Sequence, residues 1–220
     1  MQFANRIEAG RLLAKKLNAY ANRPDVVVLA LPRGGVPVGY EVARALNAPL
    51  DVFLVRKLGV PGHEELAMGA IAPGGVRVMN NYLVRALNIS DQVIDDVAAR
   101  EKRELERRER LYRGADQPLE VRGRIVIVVD DGLATGSTMT AAVSALKRLK
   151  PAQIVVAAPV AARETCAFFK SLVDATCMCV MSPHPFDGVG RWYEHFSQTT
   201  DEEVCRLLKL AKQPLRKRVA

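Results

Sequence analysis

Three features of this chain predict an α/β fold with a mainly parallel sheet and helices on both faces. Short β-branched runs, above all Val26–Leu31 and Ile125–Val129, are apolar throughout, as strands buried on both faces are. Segments of helical spacing follow them, Val36–Leu46 and Met139 onward, so strand and helix alternate. The 220 residues are 49% hydrophobic and 25% charged, the balance of a globular chain able to bury a sizeable core.

The elements follow in order. Phe3–Tyr20 reads as a helix with Ile7, Leu12, Leu13 and Leu17 near one face. Val26–Leu31 is the first strand, and Leu50–Leu58 the second. Residues 59–80 hold Gly and Pro turns around two extended pieces, Leu66–Ala72 and Val76–Met79, split by Pro73-Gly74-Gly75. That pattern suggests a hairpin in an excursion from the sheet. Ser90–Arg113 is a highly charged helix, N-capped by Ser90, with Asp91, Asp95 and Asp96 early and arginines in its last turn. Asp96/Arg100, Glu104/Arg108, Glu106/Arg110 and Glu109/Arg113 are spaced as i,i+4 ion pairs. Val93, Ile94, Val97, Leu105 and Leu111 give it a narrow apolar stripe, which suits a solvated helix leaning on the domain, a dimer contact or a lid support. Gln153–Ala162 is a strand, Arg163–Leu172 a helix and Ala175–Met181 a strand. A single domain over 1–220 is expected, with 59–115 as flexible loop, hairpin and helical insertion, and 182–200 as a hood.

No apolar run approaches the ~20 residues of a membrane span. The N-terminal segment is amphipathic and lacks a secretory apolar core, so a cytoplasmic protein without a membrane partner is expected. Cys166, Cys177, Cys179 and Cys205 form no CxxC pair and read as buried thiols. The net charge is +8, but residues 206–220 carry six basic residues and no acid, while 90–113 balances seven acids against seven bases. No broad basic face results, so nucleic acid is not the expected partner; the basic tail reads as a solubilising or fraying segment.

The chemistry concentrates in residues 130–138. Asp130 and Asp131 end a buried strand, and Gly132, Leu133, Ala134, Thr135, Gly136, Ser137 and Thr138 turn the chain into the helix beginning near Met139. Strand, turn and helix aim backbone N–H groups and a positive dipole end at an anion. Two carboxylates before such a cradle suit a sugar phosphate, one end gripping hydroxyls or Mg²⁺ and the other the phosphate. A Walker A loop is excluded, because Gly136 is followed by Ser137 and no lysine is present to reach a phosphate. Leu31-Pro32-Arg33-Gly34-Gly35 ends the first strand; two glycines let backbone approach an anion and Arg33 supplies a planar fork.

The 130–138 segment resembles the phosphoribosyl-pyrophosphate (PRPP) motif of type I phosphoribosyltransferases, especially its adenine-enzyme version. It departs at Gly132, where the family usually has an apolar residue, and Ala134 replaces the general-base Asp of hypoxanthine-type enzymes. The resemblance implies that Asp130 and Asp131 contact the ribose hydroxyls, directly or through Mg²⁺, and that Ala134–Thr138 hold the 5′-phosphate. It assigns Pro32, Arg33, Gly34 and Gly35 to the pyrophosphate, often through a cis peptide. Arg56 and Lys57, before Leu58-Gly59-Val60-Pro61-Gly62, resemble the start of the family's flexible catalytic loop. His63, Glu64 and Glu65 could contact a base or lean on a metal, or simply be solvated. Phe186 and Trp192 lie where the family has a hood over the nucleobase; they could stack on a base or pack the hood. The chain is especially similar to bacterial proteins described only as predicted phosphoribosyltransferases, which carry the extra helix. The resemblance therefore implies a Mg²⁺-dependent transferase acting on PRPP and a nitrogen acceptor, with a homodimer allowed. A PRPP- or nucleotide-sensing regulator that binds RNA is the rival reading, and a ribosyl hydrolase or phosphorylase a third.

Overall fold

A computed structural model of the chain describes residues 2–114, 117–118, 120–171 and 175–213. Its main sheet has five parallel strands in the order β2-β1-β6-β7-β8: β1 (Val26–Ala30), β2 (Leu50–Val52), β6 (Ile125–Val129), β7 (Gln153–Val160) and β8 (Ala175–Met181). Side-chain alternation divides each central strand between two helical layers. Val26, Val28 and Ala30 join Ile125, Ile127 and Val129 in a core with α1 (Arg6–Lys16), α2 (Gly35–Leu46), α4 (Asp91–Arg113) and α7 (Asp201–Ala211). Val27, Leu29, Val126 and Val128 face α5 (Ser137–Arg148) and α6 (Arg163–Ser171) instead. Both sides of the sheet are covered, which is why these runs are apolar at every position.

Between β2 and β6 the chain builds a second sheet, antiparallel, in the order β3-β4-β5: β3 (Arg56–Val60), β4 (His63–Ala72) and β5 (Val76–Met79). The expected 66–72/76–79 hairpin is present within it. The expected second strand Leu50–Leu58 is not one strand. It stops at Val52, and Arg56 opens a strand of the other sheet. Phe53 and Leu54 are buried in the crossing, so hydrophobicity runs unbroken through a change of sheet and periodicity carries no sign of it. Arg56 and Lys57 thus begin β3 and do not end β2.

Other boundaries also shift. The first helix starts at Arg6, because the Asn5 side chain accepts from the amides of Ile7 and Glu8, and it ends at Lys16 before a short 3₁₀ turn at Asn18–Tyr20. Phe3 pairs with Tyr193 in an isolated β-bridge. Two helices escaped the sequence reading, α3 (Asn81–Ala86) and α7. Within α7, Val204, Leu207 and Leu208 are buried, so the basic segment begins inside a packed helix; residues 214–220 lie outside the described residues. Leu172 and Ala115, expected at element ends, also lie outside them.

The charged helix has its expected cap, with the Ser90 hydroxyl accepting from the Val93 amide at 3.4 Å. Its buried stripe differs in phase. Ile94, Val97, Leu105 and Tyr112 are buried, while Leu111 is 42% exposed. Steps of three and four from Ile94 pass through Val97, Glu101, Leu105, Arg108 and Tyr112, which leaves Leu111 off the face. Of the four expected pairs, Glu104–Arg108 and Glu109–Arg113 form. Asp96 instead accepts from Gln92, and Glu106 meets Lys102. At the helix end, the Arg113 Nε donates to both Asp51 oxygens at 3.2 and 3.0 Å, and Nη2 donates to the Val52 carbonyl at 2.6 Å. Both side chains are nearly buried, at 6% and 12% exposure. Arg113→Ala is therefore expected to lower stability by about 3–5 kcal/mol in urea unfolding, since it strands a buried carboxylate. A loss below about 1 kcal/mol would show that this fork does not anchor α4.

Candidate active site

From β1 the chain moves outward to β2, and it later returns to the opposite side of β1 as β6. Such a switch of direction opens a crevice at the carboxyl ends of the two strands, where open α/β sheets bind ligands. Ala30 lies beside Val129, and the Leu31 amide donates to the Val129 carbonyl at 2.8 Å. This pairing brings Pro32, Arg33, Gly34 and Gly35 directly against Asp130 and Asp131. A Cβ on Gly34 would overlap the Asp131 Oδ2, and one on Gly35 would sit 2.7 Å from the Val129 carbonyl oxygen. The glycines are needed because the two loops touch. The Pro32–Arg33 peptide is cis.

The two carboxylates differ in their surroundings. Burial, and then the neighbouring Asp131 charge, push Asp130 well above the usual carboxylate range; its Oδ1 accepts from the Asp131 amide at 2.9 Å. Burial also raises Asp131, against the opposing charge of Arg6. Arg6 Nε donates to Asp131 Oδ2 at 2.8 Å, and Nη1 donates to the Ser197 carbonyl at 2.7 Å. The same guanidinium lies 3.9 Å from the Phe196 ring centre. The Tyr193 hydroxyl donates to the Asp131 carbonyl at 2.5 Å. Arg6, Tyr193 and Phe196 were missed from sequence. Tyr193 lies in the aromatic segment singled out there, but Arg6 carries no local signal.

Past the acids, Leu133 is an anchor more than a lining residue. It is buried and bridges to Ala161, with its amide donating to Val160 and its carbonyl accepting from Ala162. Ala134, Thr135 and Thr138 are exposed, and Ser137 is partly so. Gly136 takes φ +71°, and a Cβ there would meet Thr165 at 2.6 Å. Thr165, also missed, donates to the Ala134 carbonyl at 2.5 Å and braces the turn from α6. Gly136 caps α5 with no side chain of its own; the Ser137 amide donates to the Thr135 hydroxyl at a long 3.4 Å, and the helix start presents its further backbone N–H groups beside the hydroxyls of Ser137 and Thr138. Gly132 is packed against Val189, which explains the small residue: a Cβ would overlap that side chain.

Arg33 lies in the loop after β1, and Arg56 and Lys57 open β3, where successive side chains point to opposite faces. Arg33 Nη1 is 3.9 Å from Asp201 at the start of α7. Arg56 is held by Glu101 of α4, at 2.6 Å from Nη2 and 2.8 Å from Nε. Arg56, Pro32 and Thr138 line one narrow cleft, joined by Arg108 of α4. His63 and Glu64 lie at the exposed β3–β4 turn, where Glu64 accepts from the Gly62 amide, and they form no metal-holding group of three or more His, Cys, Asp or Glu among the described residues. Nothing is described of the Glu65 side chain.

The hood is tied to the N-terminal segment. Phe3 and Trp192 share a backbone hydrogen bond at 2.8 Å, and Phe186 and Trp192 stack on each other with centroids 6.5 Å apart. Both rings pack around a core of Phe3, Val160 and Tyr193, and Trp192 Nε1 is buried without a partner among the described residues. Among the described residues no group of three or more His, Cys, Asp or Glu could hold a metal, so Asp130 and Asp131 do not make a closed cage. Two hard oxygen donors suit a Mg²⁺ that keeps water and substrate oxygens as its other ligands.

The phosphoribosyl transferase domain family matches residues 3–182. A Mycobacterium tuberculosis protein provisionally named a phosphoribosyl transferase is 45% identical over 210 residues, in each of two strains. That match covers 95% of this chain and 47% of the relative, so the chain spans about half the length of those relatives. The solved structure of TT1426 from Thermus thermophilus superposes with a TM-score of 0.83 at 41% identity, covering 94% of this chain and 98% of that one. The bifunctional protein PyrR of Chloroflexus aurantiacus is 31% identical over 128 residues, 57% of this chain and 64% of that protein. No helix among the described residues is long and apolar enough to cross a membrane.

The contact between Gly34 and Asp131 can be read as a coupling energy. Gly34→Ala is expected to cost about 1–3 kcal/mol in urea unfolding. In an Asp131→Ala background the same change should cost clearly less, because the obstacle is gone. Equal costs in both backgrounds would place the strain elsewhere.

Proposed function

The chain belongs to the phosphoribosyl transferase domain family, and from that premise we propose that it transfers the 5-phosphoribosyl group of PRPP to a nitrogen acceptor, nucleobase-like, releasing pyrophosphate. The observation that carries this reading is the packing of Gly34 and Gly35 onto Asp130 and Asp131 at the β1/β6 crevice. It sets the Pro32–Gly35 loop, a pair of acids and a helix N-terminus side by side, which suits a pyrophosphate, a ribose and a 5′-phosphate in that order.

In this reading the amides and hydroxyls of Ala134–Thr138 hold the 5′-phosphate at the start of α5. Asp130 and Asp131 grip the ribose hydroxyls and hold Mg²⁺ together with the substrate. Mg²⁺, when bound, supplies a template and a sink for pyrophosphate charge. Two adjacent buried carboxylates repel each other, and both are raised above their usual range. A cation or hydroxyl donor placed on them relieves that repulsion, so ligand binding and carboxylate ionisation support each other.

The bond from C1 to pyrophosphate breaks as the acceptor nitrogen approaches the opposite face. Catalysis then consists mainly of holding the reactants in line and stabilising departing negative charge. Arg33, Arg56 and Lys57, with the Pro32–Gly35 loop, surround the leaving group in this arrangement. Phe186 and Trp192 of the hood flank the acceptor. The Phe186–Trp192 stack is equally compatible with a purely structural hood. Turnover assays of PRPP and Mg²⁺ with a panel of bases and amines test the reaction. Pyrophosphate release that needs a nitrogen acceptor supports transfer, and release without one indicates hydrolysis.

Asp130→Asn/Asp131→Asn is expected to abolish Mg²⁺-dependent PRPP binding in calorimetry while the circular dichroism spectrum is retained. Wild-type affinity in that double variant would remove the acids from the ribose and metal site. Arg33→Ala and Lys57→Ala should each weaken pyrophosphate and PRPP by ~2–5 kcal/mol and ribose 5-phosphate far less. Equal losses for all three ligands would mean that these side chains do not face the leaving group.

A further inference from the structure

Two charged residues occupy the inward face of the inserted helix. Counting from Ile94 in steps of three and four, α4 places Val97, Glu101, Leu105, Arg108 and Tyr112 on one side. Ile94, Val97, Leu105 and Tyr112 are buried in the main core. Glu101 and Arg108 share this face, at 14% and 29% side-chain exposure, and both point toward the candidate site. Glu101 holds Arg56. Arg108 lines a narrow cleft, about 20 Å³ in volume, together with Leu31, Pro32, Arg56 and Thr138. One wall of that cleft is thus the loop after β1, another the start of α5, and a third the inserted helix.

The neighbour Arg107 supplies a natural contrast. Glu104 binds both arginines, accepting from Arg107 Nε at 2.7 Å and from Arg108 Nε at 2.7 Å. Those two guanidinium groups lower the Glu104 carboxyl to about 2, so it stays ionised. Arg107 is 53% exposed and does not line the cleft. The ion pair alone therefore does not explain why an arginine stands at 108. On the same side, Tyr112 donates to Asp201 at 2.6 Å, and Arg33 lies 3.9 Å from that Asp201 oxygen. Arg56 and Arg108 thus meet at one cleft from two elements while Arg33 stands in the loop after β1, each beside a carboxylate: Glu101, Glu104 and Asp201 respectively. Guanidinium forks suit a ligand with several phosphate oxygens.

We propose that Arg108, carried by the inserted helix, is a further pyrophosphate-binding residue of this site. The proposal rests on the phosphoribosyl transfer reading. Arg108 binds the diphosphate from the side opposite the Pro32–Gly35 loop, and Glu104 keeps its fork oriented while the site is empty. The helix is then a wall of the site, and the family's usual pyrophosphate loop accounts for only part of the anion grip.

The test is calorimetric titration of the full chain with Mg²⁺-pyrophosphate, Mg²⁺-PRPP and ribose 5-phosphate, for wild type, Arg108→Ala, Arg108→Lys and Arg107→Ala. Arg108→Ala is expected to weaken pyrophosphate and PRPP by about tenfold or more, the scale of a lost charge-assisted hydrogen bond. Ribose 5-phosphate should change by less than about twofold. Arg107→Ala, which removes a guanidinium from the same Glu104, should leave all three ligands at wild-type affinity. Arg108→Lys keeps the charge and loses the fork, so it should fall between wild type and Arg108→Ala. It also serves as the folded variant if the alanine form is unstable in urea unfolding. Position 108 is refuted as a pyrophosphate contact if its variants match Arg107→Ala while the wild type binds PRPP. Equal losses for ribose 5-phosphate refute it as well. A wild-type chain that binds neither pyrophosphate nor PRPP overturns this proposal and the transfer reading together.

Discussion

The parallel pairing of β1 with β6 is the constraint on which the site depends. Ala30 and Val129 lie side by side, so the chain leaves both strands at the same level of the sheet. One exit must turn into α2 and the other into α5 without collision. Gly34 and Gly35 meet that demand, since a side chain at either position would run into Asp131 or the Val129 carbonyl. The Pro32–Gly35 loop and a carboxylate pair are thereby placed together by backbone geometry alone. Any chemistry at this edge inherits their spacing from the sheet.

The acids would be unstable neighbours without further support, because burial opposes the charge of both and the Asp131 charge also opposes that of Asp130. The fold answers with a second ring of contacts. Arg6 pairs with Asp131 and also holds the Ser197 carbonyl, while Tyr193 donates to the Asp131 carbonyl. Phe196 lies over the Arg6 guanidinium and stacks on Tyr193 at 5.0 Å. The hood and the N-terminal helix are consequently locked to the carboxylates, and a shift in the hood would be felt at Asp131 through Arg6. That coupling makes the hood more than a cover.

Legibility in the sequence followed the range of the interactions. β1, β6 and β7 were readable because a strand buried on both faces is apolar almost throughout. The site loops were readable because glycine, acid and hydroxyl residues sit next to one another in the chain. The break between β2 and β3 was hidden, since Phe53 and Leu54 bury their side chains while changing sheets. Helix α7 was hidden by its basic residues, although Val204, Leu207 and Leu208 carry helical spacing. Arg6 could not be found locally at all: its partner is 125 residues away. The stripe of α4 was read with Leu111 in place of Tyr112, and that one-residue error in phase concealed that Glu101 and Arg108 face inward.

Corrected in phase, the inserted helix changes the logic of the site. A solvated helix has no reason to place an acid and an arginine on its buried face, because desolvating each costs free energy unless a partner is at hand. Here both have partners: Glu101 holds Arg56 of β3, and Glu104, one turn back on the same helix, holds Arg108. The far end of α4 is fixed to β2 through Arg113 and Asp51, so the helix cannot slide along the sheet edge. A rigidly anchored helix with charge on its inner face is a means of presenting that charge at a set position. Arg56, displaced by the fold from the end of the main sheet to the start of the second, needs such a presentation, since no neighbouring strand of the parallel sheet can supply it. The insertion and the second sheet are in this sense one device, and the spacing of arginines around the crevice depends on both.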